Sequence, residues 1–128
     1  MSHKSKGINA ERQLIHLFWD AGYAAVRVAG SGSTKYPSPD VLASNQHRTF
    51  VIEAKTTTDD RKYFPHKEIH ELKEFGTYFG AEPWIAIKFA KENWLFINPE
   101  DLEKSEKHYT IKKETALRRG LLFEELLK

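Results

Sequence analysis

Asp40 and Glu53, with Lys55 two positions further on, are the residues of this chain whose types and spacing could do chemistry. They stand in Pro39-Asp40 and in Val51-Ile52-Glu53-Ala54-Lys55, a run that reads as a core strand abruptly carrying charge. Charge on an apolar strand is costly unless it is paired, solvated or bound to a metal. The surrounding pattern predicts two strands, Asp40 to Ser44 and Thr49 to Lys55, around an Asn45-Gln46-His47-Arg48 turn. A hairpin symmetric about the Gln46–His47 bond pairs positions whose numbers sum to 93, and Asp40 with Glu53 is such a pair. Directly opposed residues share one sheet face, with Cβ atoms roughly 4.5–5.5 Å apart. Strand alternation turns Lys55 to that face and sends Phe50, Ile52 and Ala54 to the other, toward a core.

Two carboxylates that close repel each other unless a cation lies between them. Hard oxygen ligands with room for water and phosphate suit magnesium, with manganese as a substitute. Such an ion polarises a phosphate, lowers the pKa of bound water and stabilises a leaving oxygen, which is phosphodiester chemistry. Lys55 is then placed to orient or deprotonate the water, or to stabilise a pentavalent transition state. The same three residues also fit a cross-strand carboxylate–lysine pair on a solvated sheet face. Glu11 adds a fourth charged group. It lies three residues after Ile8 and four before Ile15, on the apolar stripe of a helix, so its carboxylate should face the sheet. A glutamate at the stripe's edge reaching for water is the alternative.

The elements that must position these groups follow from periodicity. A helix is predicted from about Gly7 to Ala21, with Ile8, Leu14, Ile15, Leu17 and Phe18 on one stripe and Gly22 as its stop. Tyr23 to Val28 reads as a strand. The small-residue and proline stretch from Ala29 to Ser38 reads as a loop. Its Gly30-Ser31-Gly32-Ser33 lacks the third glycine or the Gly-Lys-Ser/Thr ending of nucleotide loops. A loop offering hydroxyls and amides to phosphate, or a plain connector, remains. Thr56 to Lys62 reads as a polar loop, and His66 to Phe79 as a second helix with Ile69, Leu72, Phe75, Gly76 and Phe79 on one face. Trp84–Phe89 and Trp94–Asn98 read as a second pair of strands, and Pro99–Leu102 and Leu121–Leu127 as short helical pieces. The order α-β-β-β-α-β-β-α describes an α/β fold, a mixed central sheet flanked by helices. Phe75, Tyr78, Phe79 and the Leu121–Leu127 segment read as core or core edge, with a dimer interface as the other use.

At 128 residues the chain is read as a single domain spanning 1–128, long enough for a hydrophobic core. It has no cysteine, hence no disulfide framework, thiolate metal site or thiol nucleophile. No run approaches the ~18–20 apolar residues of a membrane span, and no signal-peptide pattern is visible, so a cytoplasmic protein is expected. The net charge of +2 divides unevenly, +3 over residues 1–70 and −1 over 71–128. With Glu11, Asp40 and Glu53 set aside as metal ligands, the front half carries +6. A basic face around an acidic pocket suits a phosphate backbone, and a mixed, solvated surface suits the same numbers.

Pro39-Asp40…Glu53-Ala54-Lys55 resembles the PD-(D/E)xK nuclease motif. More of the chain is similar to the archaeal Holliday junction resolvases: Lys6-Gly7-Ile8-Asn9-Ala10-Glu11-Arg12, Gly22-Tyr23-Ala24-Ala25-Val26-Arg27, Gly30-Ser31-Gly32-Ser33 and Pro39-Asp40-Val41-Leu42-Ala43. The Phe75…Phe79-Gly80 helix end and the Trp84-to-Phe96 strands extend the resemblance over roughly residues 5–100. The resemblance implies a restriction-endonuclease-like fold and a homodimeric, magnesium-dependent endonuclease that cuts four-way DNA junctions by paired symmetric nicks. It implies Glu11, Asp40 and Glu53 as metal-site carboxylates, Lys55 as the water-orienting or transition-state-stabilising group, and Ser31, or else Ser33, as a serine of the catalytic loop. Arg12 and Arg27 become DNA contacts, and Lys4, Lys6, Lys35, Arg61 and Lys62 are further candidates for phosphate. The competing expectations are a repair or restriction-like endonuclease acting on duplex, flap or mismatched DNA, and a non-cleaving DNA-binding module.

Overall fold

A computed structural model describes residues 3–30 and 35–128. Helix α1 (His3–Asp20) is followed by strands β1 (Ala24–Arg27), β2 (Val41–Ser44), β3 (Thr49–Thr57) and β4 (Arg61–Pro65). Helix α2 (His66–Phe79) leads to β5 (Glu82–Phe89) and β6 (Leu95–Ile97). A 3-10 turn (Pro99–Asp101), β7 (Glu103–Lys104), β8 (His108–Lys112), α3 (Lys113–Arg119) and α4 (Phe123–Leu126) complete the order. No helix among the described residues is long and apolar enough to cross a membrane.

The main sheet runs β1-β2-β3-β5-β6, with β3 and β5 parallel and every other pair antiparallel. Its centre is covered on both faces, which is why Phe50-Val51-Ile52 and Ile85-Ala86-Ile87 are continuously apolar and inaccessible. On one face α1 lays Ala10, Leu14 and Phe18, spaced four apart, against Phe50, Ile52, Val41 and Ala43. On the other, α2 brings Ile69 and Leu72 against Val51, Ile85 and Ile87. Gly22 (φ 88°) and Gly80 (φ 70°) take the left-handed conformation that ends α1 and α2.

The predicted hairpin register holds. Val41 pairs with Ile52 and Ser44 with Thr49. Asn45 closes the turn by accepting the amides of His47 and Arg48 on its side chain, both at 2.7 Å. Three expectations need correction. The stretch from Thr56 to Lys62 is not all loop: β3 continues to Thr57, and β4 begins at Arg61. β4 joins β8 and β7 in a second, three-stranded sheet absent from the predicted order, and α3 is likewise additional. Its Phe64, Tyr109 and Ile111 complete the core on the α2 side. Tyr78 and Phe79 are not core, being 84% and 53% exposed at the end of α2.

Candidate active site

β3 presents Glu53 and Lys55 to the α2 side of the sheet, and Asp40 stands at the entrance to β2 beside them. The Asp40 amide donates to the Ile52 carbonyl at 3.0 Å, and the Ala54 amide donates to Asp40 Oδ2 at 2.9 Å. The Asp40 carboxylate is therefore held against the β3 backbone. Asp40, Glu53 and Lys55 line one cavity of about 440 Å³, together with Ser38, Pro39, Pro65, Glu68 and Leu72. The face is not a solvated one: α2 covers it, and only 14% of the Glu53 side chain remains accessible. A merely wet cross-strand pair is thereby set aside.

α2 contributes a carboxylate of its own. Lys55 Nζ lies 2.7 Å from Glu68 Oε1 and 3.5 Å from Glu53 Oε2. Burial, then the hydrogen bond with Glu68, then the charge of Asp40 push the Glu53 carboxyl up to about 9. Burial also acts against the charged form of Glu68, but the Glu53 hydrogen bond and the Lys55 charge outweigh it and hold Glu68 below the usual range. Glu53 is thus the protonated partner that donates to Glu68. Burial pulls Lys55 down, and the charges of Glu68, Glu53 and Asp40 more than offset it, so Lys55 remains an ammonium. It suits orienting and charge-stabilising work.

Glu68 was legible by the rule that singled out Glu11. It precedes Leu72 by four positions and Phe75 by seven, on the apolar stripe of its helix. Glu11 itself approaches from the opposite, α1 side. It pairs with Arg27 at 3.6 Å and does not line the Asp40–Glu53–Lys55 cavity. It still feels the site: burial and then the charge of Asp40 raise its carboxyl, against the lowering influence of Arg27 and Lys55. Ser31 and Ser33 lie outside the described residues, whereas the Ser38 that precedes Pro39 does line the cavity.

The donor chemistry fits magnesium. Asp40 and Glu53 offer hard carboxylate oxygens at one cavity, and among the described residues no three acids or histidines gather closely enough to enclose an ion. One or two carboxylates completed by water and substrate phosphate is how magnesium is ordinarily held. Glu53 would lose its proton on taking up the ion.

The basic residues divide. Lys6 and Lys62 line a second, larger groove of about 590 Å³ with Asn9, Gln13, Thr56, Thr57, Thr58 and Lys88, and with no carboxylate among the described residues. Lys88 was missed, although a lysine ending Ile85-Ala86-Ile87 is the same anomaly as Glu53 on β3; it pairs with Thr56, next to Lys55. Arg12 is exposed on α1, Arg27 is engaged by Glu11, Lys35 lies 5.9 Å from the centre of the Tyr36 ring, and Arg61 pairs with Asp60 at 3.5 Å. The Lys4 side chain lies outside the described residues.

The family model of archaeal Holliday junction resolvases (Hjc) matches residues 2–128, well beyond the motifs around the cavity. The crossover junction endodeoxyribonuclease Hjc of Archaeoglobus fulgidus is 40% identical over 108 residues, covering 84% of this chain and 79% of the relative. That of Methanocaldococcus jannaschii is 37% identical over 112 residues, covering 87% and 80%. The solved structure of Archaeoglobus fulgidus Hjc, a Holliday junction resolvase, superposes with a TM-score of 0.89 at 34% identity, covering 95% of this chain and all of that one. With the family model matched over residues 2–128 and relatives 40% and 37% identical over most of both chains, the chain belongs to the archaeal Holliday junction resolvase family.

Proposed function

We propose that this chain is a crossover junction endodeoxyribonuclease: a single nuclease domain that acts in the cytoplasm as a homodimer and resolves four-way DNA junctions by paired symmetric nicks. The observation that carries the reading is the convergence of Asp40, Glu53 and Lys55 on one cavity, in a chain that also carries a groove lined by three lysines. Asp40 and Glu53 would hold a magnesium ion, which supplies Lewis acidity toward the scissile phosphate and its leaving oxygen. The Lys55 ammonium orients the attacking water or stabilises the charge that builds on the phosphate in the transition state. Lys6, Lys62 and Lys88 bind DNA backbone, where cation–phosphate contacts supply affinity without base readout. A junction is close to twofold symmetric, and two copies of one chain related by a twofold axis bring one site to each of two opposed strands.

The test is substitution at the two carboxylates. Asp40→Ala and Glu53→Ala should each abolish magnesium-dependent cleavage of a synthetic four-way junction while leaving junction binding within a few-fold of the parent. Cleavage at the parental rate by both variants would refute the site.

A further inference from the structure

We propose that Glu68 is a positioning residue for the cleavage reaction, holding the Lys55 ammonium at the cavity. The assignment rests on the nuclease reading above and deepens it. A lysine carries its charge on a flexible four-carbon stem, so a strand alone does not place its ammonium. Two carboxylates lie within reach of Lys55, and Glu68 at 2.7 Å is far closer than Glu53 at 3.5 Å. Glu68 Oε1 is sealed from solvent, and the Lys55 ammonium is its ion-pair partner. A carboxylate so occupied has little left to offer a metal ion.

The element behind Glu68 is packed and paired. β4 runs directly into α2, with Pro65 as both the last strand residue and the helix N-cap. The neighbouring pairs Phe64–Tyr109 and Pro65–His108 tie that junction to β8. One residue after Glu68, Ile69 is wholly buried, and Leu72 one turn on is 5% exposed. A group built on packed elements holds its target more closely than one on a loop. Lys55 is therefore suspended between β3, which carries it, and α2, which aims it.

Glu68→Gln keeps the shape and removes the charge. Under single-turnover conditions at saturating enzyme, it should cut a four-way junction about 10–100-fold more slowly, as loss of an orienting partner commonly does. Junction affinity measured in calcium should stay within about two-fold of the parent, a change below 0.5 kcal/mol. In a Lys55→Gln background the same substitution should slow cleavage by less than about two-fold, because a residue acting only through Lys55 has nothing left to position. Glu68→Asp, which keeps the charge on a shorter stem, should recover part of the rate and serves if Glu68→Gln fails to fold. The assignment is overturned by a parental rate in Glu68→Gln, by an equal loss in both backgrounds, or by a loss that vanishes when magnesium is raised tenfold. A parent chain that fails to cut the junction overturns the nuclease reading and this assignment with it. A cutting parent beside an unimpaired Glu68→Gln overturns this assignment alone.

Discussion

Glu53 is where the strand's need for burial and the site's need for charge collide. Between its ordinary value of 4.5 and the value near 9 that burial imposes, the folded chain holds a proton that the unfolded chain has lost. Stability contributed at this position therefore falls as pH rises through that window. Glu53→Gln, which can still donate to Glu68, should abolish cleavage yet melt higher than the parent in metal-free buffer. We expect a gain of at least about 4 °C at pH 8, about 1 kcal/mol at this chain length, shrinking toward zero near pH 5. Calorimetry at the two pH values checks it, and a variant less stable than the parent at pH 8 would contradict the assignment. Magnesium should raise the melting temperature of the parent and not of the variant. Asp40, Glu53 and Lys55 were readable from the chain because two short-range rules, hairpin register and strand alternation, place them on one face. Glu68 and Lys88 were legible as charges out of place on an apolar stripe and an apolar strand, but where each one lies depended on long-range facts, that α2 covers this face and that β3 pairs in parallel with β5.

α2 serves two purposes along its length. Its first turn aims Glu68 at the cavity, while its last turns expose Tyr78 and Phe79, with the Phe75 and Phe79 rings 5.2 Å apart. An aromatic ridge left in water is a candidate for self-association. If the proposed homodimer uses it, the double substitution Tyr78→Ser, Phe79→Ser should weaken dimerisation at least about tenfold, or 1.4 kcal/mol, in analytical ultracentrifugation. A dimer of parental affinity would place the interface elsewhere. α2 and the β2–β3 hairpin were legible because each has strong periodicity and clear end signals. β4, β7, β8 and α3 were not. β7 has two residues, β4 buries only Phe64, and α3 buries only Ala116, so no period emerges from any of them. The second sheet exists through its pairing with β8, which local sequence does not encode.

At the scale of the molecule, the acidic cavity is lined from β3 and α2 and the lysine-lined groove from α1 and the ends of β3 and β5, so a basic groove and an acidic cavity share one chain. Such a surface attracts any phosphate backbone, so charge alone does not make a chain selective for junctions. In the proposed homodimer, selectivity comes from two sites held at a fixed separation and angle, which a branched substrate matches and a linear duplex does not. The most direct measurement sets a synthetic four-way junction against linear duplexes made from the same arm sequences, with magnesium and with a chelator. We predict paired nicks on opposed strands of the junction, dependent on magnesium, with the duplexes left uncut at equal enzyme. Equal cutting of junction and duplex, or junction cleavage that survives removal of the metal, would contradict the account.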